Sequence, residues 1–456
     1  MTKIDKPNRR NLRLALTAML ILFVVPLSMD LYSRMKLERA VEGYTYGFLD
    51  FEHFKPDPLP EDTVNGTDYE EAASLVIEGQ NLTYQPRDGA PDAGFLAVQD
   101  VFKRRNLDRS ELSAEDLDLF RHQVQRLDLG LRILDKGLET THEARYQTDW
   151  NVSPWDIVIP NLLTRIRFGT LLRARGEIAL AEGRWDDAWR DAAKIQRLAH
   201  WSAQSLPTLI NALVARAISY EGMIFVQKLL AGPPVDRGLY DAVMTEAGRL
   251  PSTEHYSMLL DAERSAAFTS LLDPRATSFG VVVVPKGFPL WMSARRWAAA
   301  DYLNWAGPYF EGCKAPSHAL DDKAFEDGLP KILGVRSLAD FAFDCRTVSR
   351  KRDLAVATLD HLQLALQLTR HHEENGAYPA DLSGLQGSTS DPFLAGADYR
   401  YELQDDGGYK LWSASYDGVD GGGELPHESE SGSYEWETGD FVWWVRGPAP
   451  PAESGV

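Results

Sequence analysis

Four side chains near the C-terminal end of the chain, Asp417, Asp420, Glu424 and Asp440, are hard oxygen donors, with Gly421, Gly422 and Gly423 among them. Calcium takes a shell of oxygens that includes backbone carbonyls, and glycines let a loop turn those carbonyls inward. Residues 401–440 carry eleven acidic side chains against the single Lys410, so a bound cation would relieve local repulsion. These four carboxylates are the candidate calcium ligands, with an ordinary solvated turn as the alternative. The second chemical pair is Cys313 and Cys345, the two cysteines of a 456-residue chain. So few exclude a disulfide-rich scaffold and a cysteine-built zinc ribbon. In an oxidising compartment the pair would bridge, and the closed loop would add roughly 3–4 kcal/mol of stability. Two separate buried thiols are the alternative.

Catalytic signatures are absent from the sequence. It holds no G-x-S-x-G elbow, H-E-x-x-H zinc helix, P-loop or G-x-G-x-x-G fingerprint. His371-His372-Glu373-Glu374 is the densest polar cluster, but neighbouring residues on a helix diverge by about 100° and do not converge on one metal. His142-Glu143 and His200 are isolated. Among 67 acidic residues no spacing singles out a glycosidase-type pair. A hydrophobic fraction of 44% and a charged fraction of 25% describe a folded chain. The net charge of −19 weighs against nucleic acid, whose phosphates need clustered Lys and Arg.

The strongest positional signal is Leu14 to Met29, a charge-free run bounded by Arg13 and Asp30. With Leu31 and Tyr32 as interfacial anchors it approaches the ~20 residues that cross a bilayer core. Lys3, Lys6, Arg9, Arg10 and Arg13 precede it against Asp5, a bias that holds residues 1–13 in the cytoplasm as a basic tail and sends the rest across. The exit, Pro26-Leu27-Ser28-Met29-Asp30, lacks the small residues of a signal-peptidase site. The reading is an uncleaved signal anchor over residues 14–33, with a cleaved signal and a buried core helix as alternatives. It places the chain in a bacterial inner membrane, with its body in the periplasm.

Residues 34–108 are read as a membrane-proximal segment, interrupted by Lys55-Pro56-Asp57-Pro58-Leu59-Pro60 and Arg87-Asp88-Gly89-Ala90-Pro91. A helical body follows over 109–345. Ser113 and Asp116 mark a helix start, and Leu117, Phe120, Val124 and Leu127 recur at helical spacing. In 169–202, Gly176, Gly183, Trp185 and Ala188 fall in the frame of a helix–turn–helix repeat, and this stretch resembles one tetratricopeptide (TPR) unit. Small Gly176 and Ala188 would let its two helices approach, while Gly183 permits the turn and Trp185 fills the gap. Ala192 and His200 depart from that family's pattern. A vaguer helical pair is expected over Leu209 to Leu230, and an α-hairpin bundle rather than a full superhelix. Val281-Val282-Val283-Val284 fits a short strand or extended loop, and aromatic Phe288 to Trp305 fits a buried helix, with a membrane-surface or partner-binding site as the alternative.

The C-terminal module, 346–446, opens with a long helix whose stripe is Ala355, Leu359, Leu362, Leu366 and Thr369, ended by Asn375-Gly376. Period-two runs at Tyr399 to Leu403 and Tyr409 to Trp412 flank the turn residues Asp405 to Gly408, and Phe441 to Val445 adds a third strand. The order of this helix, Asn375-Gly376-Ala377-Tyr378-Pro379, Asp391-Pro392-Phe393, Leu411-Trp412-Ser413 and Asp417-Gly418-Val419-Asp420-Gly421-Gly422 resembles the globular half of type II secretion major pseudopilins. That resemblance implies a small antiparallel sheet on the helix and a calcium loop after the second strand. The N-terminus departs from that family, having no glycine before Leu14 and no glutamate inside the apolar run. Residues 447–456 are expected to form a disordered tail. The fold class expected is mostly α, with a TPR-like hairpin body, a C-terminal α+β module and one transmembrane helix. The expected function is a membrane-anchored binding or scaffold protein of the cell envelope, with secretion or pilus-like machinery as its partner; an envelope hydrolase with a dispersed site is the alternative.

Overall fold

Twelve α-helices, a three-stranded antiparallel sheet and one short β-pair make up the described part of the computed structural model. It describes residues 25–42, 44, 51–83, 93–108, 112–157, 162–273, 291–319, 345–425, 427–428, 434–435 and 439–445. The helices are α1 (Val25–Val41), α2 (Gly66–Thr83), α3 (Ala93–Asp108), α4 (Ala114–Arg126), α5 (Asp128–Thr140), α6 (Leu162–Ala181) and α7 (Trp185–Gln204). They continue as α8 (Leu209–Leu229), α9 (Arg237–Ala247), α10 (Thr253–Leu272), α11 (Trp291–Lys314) and α12 (Cys345–Asn375). The strands are β1 (Arg400–Leu403), β2 (Tyr409–Ser413), β3 (His427–Glu428), β4 (Tyr434–Glu435) and β5 (Phe441–Val445). The mostly helical character and the small sheet agree with the sequence reading.

Local chemistry sets the helix ends. Ser113 accepts the Asp116 N–H while the Asp116 carboxylate accepts the Ser113 N–H, a reciprocal box that starts α4. Between α6 and α7, Gly183 stands at φ +74°. The Arg184 N–H donates to the Ala179 carbonyl and the Gly183 N–H to the Leu180 carbonyl, which satisfies the last carbonyls of α6. Gly176 has a different task from the one the repeat resemblance implies. A Cβ there would come within 2.5 Å of the Phe225 ring on α8 and only 3.4 Å from Asp191 on α7. It therefore admits the third helix rather than the hairpin partner.

The main core joins α2, α5, α6, α7, α8 and α9 to α12 and the sheet, with Trp189, Trp201, Phe168 and Phe225 wholly enclosed. A second cluster joins α1, α10 and α11 through Ala40, Tyr256, Leu260, Tyr302 and Leu303. Strand order is β1-β2-β5, with Tyr401 opposite Leu411 and Leu411 opposite Trp443. Tyr409, Leu411 and Trp443 turn into the core shared with α12.

Two expectations change. Residues 66–83, read as part of a membrane-proximal spacer, form a core helix: α2 packs on α5 and buries Ala73 and Ile77. The helical pair expected over Leu209 to Leu230 is the single helix α8. Among the described residues α8 is also the one helix long and apolar enough to cross a membrane; it packs against α6, α7, α10, α12 and β5. The anchor falls mostly outside the described residues: only 25–33 are described, as the start of α1. Val281 to Val284 and the tail 447–456 also lie outside them. Cys313 is buried and disulfide-bonded, and Cys345 is the chain's other cysteine. Replacing both by Ser is expected to lower the unfolding free energy by ~3 kcal/mol, read by urea titration; an unchanged midpoint would show that the bridge carries no stability.

Candidate functional site

The acidic loop after β2 is where the sequence places a cation, and the structure shows what each carboxylate does there. Asp440, fully buried, accepts the N–H groups of Gly421 (3.2 Å) and Gly423 (2.6 Å). Burial raises its pKa, opposed by those two donors. Asp420 accepts the Trp412 indole N–H (2.9 Å), the Arg400 guanidinium (2.8 Å) and the Gly422 N–H (3.1 Å). The indole hydrogen bond, with Arg400 beside it, holds its carboxyl below the usual range. Asp417 accepts the Val419 N–H in a local turn. Glu424 contributes its backbone carbonyl to the Asp440 N–H. Asp420 and Asp440 thus meet at the same glycine turn, but backbone donors and Arg400 occupy their oxygens. Among the described residues no group of three or more His, Cys, Asp or Glu side chains is arranged to hold a metal.

Beneath the sheet lie groups that the sequence reading passed over. Asp391 is buried and accepts the Phe393 N–H, the Ser413 hydroxyl and the Ala414 N–H, so it pins the Asp391-Pro392-Phe393 turn to the end of β2. His361 sits inside the α12 stripe, stacked on Phe441 at 5.0 Å and edge-on to Tyr399 at 4.7 Å. Burial pushes its pKa down to about 3. Its neighbour Asp360 accepts the Tyr399 hydroxyl at 2.8 Å, and burial pushes that carboxyl up to about 6. The histidines that the sequence did single out are tied to carbonyls or acids: His142 to Glu246, His200 to the Arg249 carbonyl, His371 to the Ala377 carbonyl. His372 lies against the Tyr378 ring.

The helical body carries buried arginines that no local pattern announces. Arg165 on α6, wholly enclosed, pairs with Glu70 on α2 at 2.6 Å and donates to the Ser205 hydroxyl. Arg175 holds Asp135 through two nitrogens, at 2.6 and 2.9 Å, and reaches Asp191 as well. Arg165–Glu70 joins helices that are not neighbours in the chain, and Arg175 ties α6 to the helices before and after it through Asp135 and Asp191. Stripping one partner from the fully buried Arg165–Glu70 pair costs about 3–5 kcal/mol.

Where the apolar run ends, α1 lies along α11. The Asp30 carboxylate accepts Arg34 at 2.9 Å, the Ser293 hydroxyl at 3.1 Å and Arg296. Lys36 pairs with Asp301 and covers the Trp297 ring at 4.8 Å. Further on, a polar cleft of about 630 Å³ opens between α1, α10 and α11, with Arg39, Tyr44, Arg264 and Asn304 in its walls. Arg264 and Lys314 there pair with Asp261 and Glu311. The spacing of Asp30 and Arg34 is the one sequence signal for this junction; Ser293 and Arg296 carry none. No family model, curated protein or solved structure matches the chain.

Two expectations follow. The Asp440 carboxylate is held by the Gly421 and Gly423 N–H groups, and if these donors alone set the loop, calcium or a chelator leaves Tm unchanged. Asp440→Ala, which strands the buried Gly423 N–H and frees that of exposed Gly421, should cost about 1–3 kcal/mol. A calcium-induced rise in Tm that Asp417→Ala plus Asp420→Ala abolishes would instead make calcium the loop's ligand.

The second expectation concerns acid. Unfolded, His361 binds its proton near 6.5 but folded only near 3; between those values the unfolded chain holds more protons, and stability falls as pH falls. Asp360 runs the other way, from 3.8 unfolded to about 6 folded, so it favours the folded state as pH falls through that window. The two offset each other between pH 6 and 4. Asp360→Asn should therefore expose a loss of ~1.4 kcal/mol per pH unit below pH 6, and His361→Leu a relative gain. Urea midpoints at pH 7 and pH 5 measure both, and equal slopes in all three proteins would refute the pairing.

Proposed function

We propose that this chain is a single-pass, membrane-anchored binding or scaffold protein of the bacterial cell envelope. Residues 1–13 stay in the cytoplasm, 14–33 anchor the chain in the inner membrane, and the body works in the periplasm. The observation that carries this reading is the junction of α1 with α11: the helix that continues the apolar run is fastened by Asp30 and Lys36 to Ser293, Arg296 and Asp301. A helix so held carries the body at a set position on its anchor, as a scaffold requires. The long helix with its three-stranded sheet supports kinship of the C-terminal module with pseudopilins, and a secretion or pilus-like assembly is the partner proposed from it. The helix–turn–helix unit at α6 and α7 supports the TPR likeness, and a peptide segment is the ligand class such a hairpin takes.

A reporter fused after Val456 tests the topology: activity only outside the cytoplasm is expected, and cytoplasmic activity would overturn the anchor. Affinity capture of the intact protein from detergent-solubilised membranes tests the partner. Recovery of secretion-machinery subunits is expected, and their absence at wild-type expression would remove the proposed assembly.

A further inference from the structure

The contacts between α1 and α11 set the height of one helix against the other. Asp30 closes the charge-free run, and its carboxylate takes Ser293 and Arg296 from the first turns of α11. Further along both helices, Lys36 meets Asp301, and beyond that the Tyr44 hydroxyl donates to the Leu303 carbonyl. The two helices therefore run side by side in the same direction. The Lys36–Asp301 pair stands about 9 Å further from the apolar run than Asp30 does, at 1.5 Å per residue. It follows that the first turns of α11 lie level with the end of the run.

The exposed side chains at that level include, beside Ser28 and Arg34, four that are apolar or aromatic. Leu27 is 71% exposed, Leu31 60%, Tyr32 53% and Trp297 38%. Tyr32 and Trp297 meet edge to face at 5.5 Å, which joins the two helices into one patch. The nearby charges are matched, Asp30 by Arg34 and Arg296, and Asp301 by Lys36. Aromatic rings flanked by long cationic side chains are the composition that a membrane–water interface selects.

We propose that Leu27, Leu31, Tyr32 and Trp297 form a collar seated in the headgroup region of the bilayer that residues 14–29 enter, so that the start of α11 rests on the membrane. The inference rests on the anchor reading and adds the surface and the pose. Lipid is the occupant because the patch is continuous along α1 with the apolar run: a bilayer that receives the run meets Leu27 and Leu31 next, and Trp297 is tied to the same level through Asp30. At this level the carboxylates of Asp30 and Asp301 are each paired with a cation, which limits their repulsion of anionic headgroups.

The test uses the full chain in liposomes of phosphatidylethanolamine and phosphatidylglycerol. Trp297→Cys carries an environment-sensitive fluorophore, and Met292→Cys, in the same turns of α11, gives a second probe should the first variant misfold. Leu403→Cys on β1, itself 46% exposed, is the comparator. Cys313 is disulfide-bonded and does not compete for the label. Nitroxide lipids labelled near the headgroup should quench the probes at 292 and 297 about threefold more than the probe at 403, with blue-shifted emission. Equal quenching at all three sites would overturn the collar. Protection that persists in detergent and rises with protein concentration would also overturn it, assigning the patch to a second copy of the chain. Alkaline carbonate separates the two levels. Release of the wild-type chain from membranes removes the anchor reading and the collar with it, whereas retention with unquenched probes removes the collar alone.

Discussion

An apolar helix of 21 residues needs cover for most of its surface, and the body packs around α8 from several elements. Helices α6, α7, α10 and α12 and strand β5 all pack against it. Leu209, Ile218, Phe225 and Val226 are enclosed as a result. At about 1.5–3 kcal/mol for each large apolar side chain taken from water, this helix is the axis that joins the hairpin array to the C-terminal module. Two polar contacts fix its register. Ser219 on α8 exchanges hydrogen bonds with Gln196 on α7, and the Gln227 amide donates to the Trp444 carbonyl of β5. Gly176 matters for the same reason, since any side chain there would strike Phe225.

Around that axis, charge is placed where it fixes geometry. Arg165 and Asp30 each hold a partner from a helix remote in sequence, and Arg175 ties α6 to α5 through Asp135 and to α7 through Asp191. Buried or half-buried ion pairs contribute little net stability over a well-packed apolar alternative, but losing one partner is costly. They therefore penalise wrong helix pairings, and at Asp30 they also set how the body meets the segment that precedes it. The C-terminal loop follows the same logic on a smaller scale: Asp391, Asp420 and Asp440 serve as acceptors for backbone N–H groups, with Arg400 as the local cation.

Much of the local structure was legible from residues alone. The Ser113 start, the Gly183 turn, the long C-terminal helix ending at Asn375-Gly376 and the hairpin around Asp405 to Gly408 depend on interactions within a few positions, and local pattern reports them. The candidate site was legible in composition only. Eleven acids over residues 401–440 suggested a cation, but whether a carboxylate faces a metal or a backbone N–H depends on how the glycines turn. His361 was hidden for a related reason. A histidine inside an apolar stripe reads as one polar interruption, and only the packing of Phe441 and Tyr399 on it shows a ring kept neutral by burial.

The sequence by itself determined the mostly helical class, the small C-terminal sheet, the anionic balance and the apolar run before Asp30, because propensity, periodicity and composition are additive along a chain. Tertiary structure alone decided that α2 belongs to the core, that α8 packs against α6, α7, α10, α12 and β5, that Gly176 serves α8, and that Asp30 meets Ser293 and Arg296. Those outcomes depend on which distant surfaces come together, and a pairing between residues more than 250 positions apart leaves no trace in local spacing.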